Sequence, residues 1–247
     1  MPNNPGHTFM IATRYENMEP TGEARGLPQP PLALPAPEGA PLIPLPGIGE
    51  MEPPALSLHQ AIANRRTGRR YSEQPLSLSE LAYLLWATQG VQQITTRPTT
   101  LRTVPSAGSR HAFETYLLVN RVEGLEPGLY RYVALTHELA QLQTGPEKAE
   151  EITAACRNQK QILNSAVTFL WAAEVERMTW RYGDRGYRYL HLDAGHICQN
   201  LYLAGEALDC RCCAIAAFDD KALNDALGLD GEARFVTYVA TLGKKVE

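Results

Sequence analysis

Residues Tyr189 to Phe218 read YLHLDAGHICQNLYLAGEALDCRCCAIAAF, and a change of period inside them decides the fold class. From Tyr189 to Leu208 the apolar positions Leu190, Ala194, Ile197, Leu201, Ala204 and Leu208 recur at steps of four and three. That spacing is the stripe of one long amphipathic helix. From Cys212 to Phe218 small and apolar residues run on without it, which reads as a strand. A helix that hands over to a strand within a few residues places both in one layered domain.

The same alternation extends outward. Ser165 to Val175 (SAVTFLWAAEV) is a nearly continuous apolar run, suited to a strand covered on both faces. Downstream, a short helix from Asp219 or Asp220 to Leu227 precedes a strand over Phe235 to Leu242. Upstream, Thr115 to Val122 and Gly128 to Val133 read as strands, the second after a Pro-Gly turn. Ser57 caps a helix over Leu58 to Asn64. Ser77 and Glu80 form a capping box ahead of Leu78, Leu81, Leu84 and Leu85, and Gly90 stops that helix. Interspersed helices and strands give an α+β fold with a mixed sheet flanked by helices.

The chain has 247 residues, enough for one sizeable core. Hydrophobic residues at 44% and charged residues at 20% fit a soluble globular protein and not a disordered one. A net charge of -4 argues against nucleic acid as the partner of the whole chain. No apolar run approaches the roughly 18–20 residues needed to span a bilayer, and Met1-Pro2-Asn3-Asn4 opens no secretory leader. Membrane partners and secretion are therefore not expected. Cys156, Cys198, Cys210, Cys212 and Cys213 are odd in number and crowded, which is no disulfide framework. They read as small buried residues in a reducing, cytoplasmic compartment, and no second pair stands by to complete a metal site.

Thirteen of the 18 prolines fall in residues 1–54, so this segment reads as an extended arm without helix or internal strand. The leucines and isoleucine between the prolines call for a surface to lie against. Residues 55–247 form the domain proper.

The densest charge is Arg65-Arg66-Thr67-Gly68-Arg69-Arg70. Guanidiniums this crowded repel one another unless an anion neutralises them, and their planar forks match phosphate oxygens. A solvated basic turn at a helix C-terminus is the bland alternative. Val104-Pro105-Ser106-Ala107-Gly108-Ser109-Arg110-His111 is small enough for a backbone to approach a planar ligand, or is an ordinary loop before a strand. His111 reads as a structural histidine, with no located partner to make it a base. The chain lacks Gly-x-Gly-x-x-Gly, a phosphate loop, Gly-x-Ser-x-Gly and His-Glu-x-x-His.

Arg65-Arg66-Thr67-x-Arg69, Pro105-Ser106-Ala107-Gly108 and Ile215-Ala216-Ala217-Phe218, in that order, resemble the FMN-binding nitroreductase family. The nearer likeness is to its SagB-type branch, which includes dehydrogenases that oxidise azolines to azoles in modified peptides. LAYLLWATQG (81–90), LEPGLYRY (125–132) and DAGHICQNL (193–201) support it, so the likeness covers about residues 55–243. The resemblance implies a mainly antiparallel sheet in an intertwined homodimer, with FMN at the interface. It assigns Arg65, Arg66, Thr67 and Arg69 to the flavin phosphate and ribityl chain. Pro105, Ser106, Ala107, Gly108 and Ser109 would lie at the isoalloxazine, with Ile215, Ala216 and Ala217 near the flavin N5 edge. Many relatives carry an acidic residue and a glycine where Ala216 and Ala217 stand, so only backbone contacts carry over there. Lys244 or Lys245 is the candidate for a further phosphate contact.

The implied activity is hydride transfer through flavin N5 in a ping-pong cycle, with NAD(P)H as one reductant and a small molecule or peptide as substrate. Two other readings remain: an azoline dehydrogenase in a peptide-modifying assembly, and a flavin-binding protein without turnover. Azoline-oxidising relatives are associated with a Lys-Tyr pair, and the nearest counterpart here is Arg181-Tyr182. Arginine stays protonated and is a poor base.

Overall fold

A computed structural model of the chain describes residues 4–50 and 54–246, so the expected arm falls partly outside the described residues, at 1–3 and 51–53. The N-terminal segment supplies α1 (Pro5–Ala12) and β1 (Leu42–Pro44). Then come α2 (Leu58–Asn64), α3 (Leu78–Gln89) and a hairpin of β2 (Val91–Ile94) and β3 (Thr100–Arg102). The strands β4 (Phe113–Val119), β5 (Gly128–Val133) and β6 (Glu138–Thr144) follow, with α4 (Glu147–Ala155) and α5 (Gln161–Asn164) after them. The rest of the chain is β7 (Val167–Glu174), α6 (Val175–Tyr182), α7 (Gly186–Ala207), β8 (Cys210–Ile215), α8 (Asp220–Leu227) and β9 (Arg234–Lys244).

Seven strands make one sheet in the order β1-β6-β5-β4-β7-β9-β8, each named pair antiparallel. The α+β reading holds. β7 is covered on both faces, as its apolar run demands. Phe169 and Trp171 enter the core under α3, α6 and α7, whereas Leu170 and Ala172 enter a second core under α4, α5 and α8. Both expected caps form, and α2 gains a full capping box from Ser57 and Gln60. Among the described residues no helix is long and apolar enough to cross a membrane.

Three expectations are corrected. The strand expected over Cys212 to Phe218 runs from Cys210 to Ile215, and Ala216 to Phe218 leave the sheet. The chain must turn there because the Asp219 side chain caps α8 by accepting from the Ala222 amide at 2.9 Å. The apolar run at 165–175 ends as a strand at Glu174, and Val175 opens α6. The N-terminal segment does contain a helix: Pro5 occupies the first turn of α1, where its missing donor is harmless, and Asn4 caps it.

Beyond α1 the arm makes single 3-10 turns at Tyr15–Asn17 and Ile48–Glu50 and a turn at 22–26, is otherwise mostly without regular structure, and lies on its own chain. Prolines cannot donate but keep their carbonyls, and buried arginines use them. Arg177 Nε donates to the Pro31 carbonyl (2.8 Å), Arg102 Nη2 to Leu32 (3.3 Å) and Arg131 Nη2 to Pro35. Trp180 Nε1 donates to the Leu27 carbonyl at 2.9 Å, and β1 ends the arm as an edge strand on β6, where proline is tolerated.

All five cysteines are free thiols and buried. Burial pushes Cys156, Cys198 and Cys210 up to about 12, away from the reactive thiolate. A thiol-labelling reagent is expected to modify none of them in the folded protein and all five in denaturant; rapid labelling of the native chain would contradict this burial.

Candidate functional site

The basic motif begins where α2 ends and runs beside β8. Thr67 forms a parallel bridge with Cys212, and the Gly68 amide donates to the Cys212 carbonyl at 3.1 Å. Gly68 is required by contact: a Cβ there would lie 2.7 Å from Cβ of Arg211. Tyr202 of α7 gathers the assembly. Its hydroxyl lies 3.2 Å from Thr67 Oγ1 and accepts from the Ala214 amide at 2.9 Å, and its ring lies under the Arg65 guanidinium, 5.4 Å away.

Arg66, Arg69 and Arg70 are exposed, and Arg65 is half-buried. Among the described residues none of these four arginines forms an ion pair, although thirteen ion pairs occur elsewhere. Arg69 and Arg70 line a cleft of about 390 Å³ with Gly68, Arg211, Lys245 and Val246. Arg211 is already held by Glu206 at 2.6 Å, and Lys245 by Glu206 and Asp209 at 2.8 and 2.9 Å. Lys244 is buried, with its ammonium on Glu80 and on the Leu208 carbonyl. Of the two lysines only Lys245 therefore borders the cleft.

β8 delivers the third expected segment to the same region. Ile215 is buried in the second core, whereas Ala216 and Ala217 are exposed beyond the strand end. The Ala217 carbonyl is taken by Gln159 Nε2 at 3.0 Å.

The loop Pro105 to Ser109 stands elsewhere. Asp193 of α7 holds it, accepting from Ser106 Oγ at 2.5 Å and from the Ala107 amide at 3.2 Å. Ser106 Oγ in turn accepts from the His111 amide at 2.9 Å. Gly108, Ser109 and His111 all have positive φ, with right-handed Arg110 between the last two, so the chain turns tightly here. A Cβ at Gly108 would lie 2.5 Å from the Tyr182 hydroxyl and 2.9 Å from Arg181 Nε, which places that pair against the loop. Arg181 is committed to Glu23 of the arm at 3.0 Å.

Asp193 and Tyr202 lie nine positions apart on α7, about 13.5 Å along the axis and half a turn around it. The helix therefore presents the loop on one side and the basic motif on the other. One chain brings Arg65 to Arg69 together with Ile215 to Ala217, but not with Pro105 to Ser109. Neither anchor stood out in the sequence, although Asp193 carried a signal. It falls three residues after Leu190 and four before Ile197, so a carboxylate interrupts the apolar stripe and needs a buried donor.

The match to a known protein family follows the same residues. The family model described as the nitroreductase family matches residues 62–244. The chain belongs to the nitroreductase family. It is a family of oxidoreductases. A protein of Methanocaldococcus jannaschii classed as a nitroreductase is 33% identical over 205 residues, covering 83% of this chain and 97% of its own. A nitroreductase structure from Anabaena variabilis is 32% identical with a TM-score of 0.65 over 76% of this chain, and this chain spans 38% of that longer protein. The trifolitoxin-processing protein TfxB of Rhizobium leguminosarum is 30% identical over 52% of this chain and 35% of its own. Two structures share the fold at lower identity. One, a nitroreductase from Desulfovibrio desulfuricans in complex with FMN, is 18% identical with a TM-score of 0.57, over 78% of this chain and 88% of its own. The other, the Escherichia coli microcin synthetase McbBCD complex with truncated pro-MccB17, is 17% identical with a TM-score of 0.61, over 99% and 95%.

Two predictions follow from the loop. Asp193→Ala leaves the Ser106 hydroxyl and the Ala107 amide without their acceptor, and bonds to a charged group are worth about 1.5–3 kcal/mol each. A melting temperature lower by roughly 5 °C or more is expected for a chain of this size; an unchanged melting curve would show that Asp193 does not hold the loop. His111 is buried, and burial together with Arg102 pushes it down to about 3. The unfolded chain then binds the extra proton, so stability is unaffected above about 6.5 and falls as pH drops from there towards 3. His111→Asn, which tolerates the positive φ, is expected to flatten that part of the stability profile measured by denaturant titration.

Proposed function

We propose that this oxidoreductase is an FMN enzyme that works as a homodimer with the flavin at the subunit interface. The observation that carries the reading is the set of four arginines with no carboxylate partner among the described residues, in a segment that Thr67 ties to β8 and that Tyr202 meets at Arg65 and Thr67. A phosphate supplies the charge such a cluster lacks. The open backbone at Ala216 and Ala217 has no side chain bulky enough to obstruct a flat ring.

In this reading Arg65, Arg66, Thr67 and Arg69 hold the phosphate and ribityl chain. Ile215, Ala216 and Ala217 border the ring, and Pro105, Ser106, Ala107, Gly108 and Ser109 of the second protomer close it from the other side. The opposed placement of loop and motif on α7 supports the dimer, because a single chain cannot offer both to one ligand. Bound FMN would supply hydride exchange at N5, taking electrons from one substrate and giving them to another, with NAD(P)H the candidate donor. The protein's own part is to neutralise the phosphate, to present backbone donors to the ring and to shut out water between two subunits. The buried thiols suit a reducing, cytoplasmic setting.

The relatives TfxB and McbBCD favour a peptide as the substrate in a second reading, azoline dehydrogenation. Against proton removal by Arg181 stands the commitment of its guanidinium to Glu23, and arginine is a poor base in any case. The absorption spectrum of the purified protein, followed by identification of the cofactor released on denaturation, tests the main reading. A flavin spectrum bleached by NADPH without oxygen is expected. A colourless protein that takes up no FMN when it is offered in excess would overturn it.

A further inference from the structure

On the opposite side of the sheet from α7, a cleft of about 490 Å³ opens between the arm and the second core. That volume lies within the range of small-molecule sites. Leu34, Pro35, Ala36 and Pro37 of the arm form one wall, and Leu142 and Leu227 face them. The floor is polar. Tyr116 and Arg131 are directly paired across β4 and β5, so both project from the same face.

Arg131 is 3% exposed, and its charge is poorly matched. It shares the single carboxylate of Glu114 with Arg177, which holds the close contact at 2.6 Å while Arg131 keeps one at 3.5 Å. Arg102 is buried within the field of Glu114 but makes no contact with it, so three buried guanidiniums have one buried carboxylate between them. The carbonyls of Pro31, Leu32 and Pro35 satisfy donors but add no charge. The Tyr116 hydroxyl has no hydrogen-bond partner among the described residues, although Tyr116 is only 7% exposed. At the mouth, Arg234 meets Glu174 through Nε alone, at 3.0 Å, which leaves its two terminal nitrogens uncommitted.

We propose that this cleft binds a small monocarboxylate with a branched aliphatic or aromatic body. The carboxylate would sit between Arg131, Arg234 and the Tyr116 hydroxyl, and the body between the arm and Leu142 and Leu227. Exposed Glu38 at the rim and Glu174 beside Arg234 count against a second negative charge on the ligand. Because the arm is one wall, and the Leu34 amide donates to Glu114 at 2.9 Å, occupancy also fastens the arm to the sheet.

The test uses the full-length protein as purified. Phenylacetate and isocaproate are titrated by calorimetry, with neutral phenylacetamide as control, and amide exchange at residues 31–36 is followed. The acids are expected to bind saturably and to slow exchange at Leu34, and phenylacetamide to bind at least about tenfold more weakly. Arg234→Gln and Tyr116→Phe should each weaken the acids by a similar factor and leave flavin retention unchanged. No binding of either acid, equal binding of the amide, or wild-type affinity in both variants would overturn the proposal. None of these results bears on the flavin reading.

Discussion

The double variant Arg65→Ala/Arg69→Ala is expected to fold normally and to lose its flavin during purification. Each charge-assisted phosphate contact is worth about 1.5–3 kcal/mol, so removing two weakens FMN by roughly a hundredfold or more. The fold should tolerate the change. Neither side chain enters a core cluster or an ion pair among the described residues, and the backbone bridge of Thr67 to Cys212 does not involve them. Fluorescence titration of the apoprotein with FMN measures the effect directly. Retention of flavin at wild-type affinity, with an unchanged melting curve, would remove the phosphate from this motif.

Glu114→Gln should have the largest effect on stability. Glu114 is the one buried carboxylate facing Arg131 and Arg177, and it also accepts the Leu34 amide of the arm. Glutamine keeps the shape but removes the charge and one acceptor, and uncompensated buried charge of this kind costs about 3–5 kcal/mol. For a chain of this length that is a fall in melting temperature of roughly 10 °C. The arm should loosen first, since its contacts here are carbonyls and one amide held by these side chains. Limited proteolysis is therefore expected to cut within residues 20–40 before the core unfolds. A variant as stable and as resistant as the wild type would show that the arm is held by its apolar contacts alone.

Much of the architecture is readable one segment at a time. Ser57, Ser77 and Glu80 announce helix starts because caps satisfy donors within their own turn. The 165–175 run announces a strand between two layers because it carries no polar face. The stretches 135–164 and 1–40 were less legible. β6 lies beside the edge strand and mixes buried with exposed positions, so no clean alternation marks it. The arm reads as extended from its prolines, but nothing local says that buried arginines will seize their carbonyls, or that one proline will open a helix.

Read alone, the sequence yields the α+β class, helices α2, α3, α7 and α8, the central parts of β4, β5, β7, β8 and β9, and the candidate motifs, because those follow from period, caps and charge density along a few neighbouring residues. Which motifs meet was set by long-range packing. It set the basic run against β8 and put the Pro105 to Ser109 loop on the other side of α7. It also buried two guanidiniums on one carboxylate beneath the arm. These outcomes depend on partners far apart in the chain, whose burial and charge exist only once the sheet has assembled.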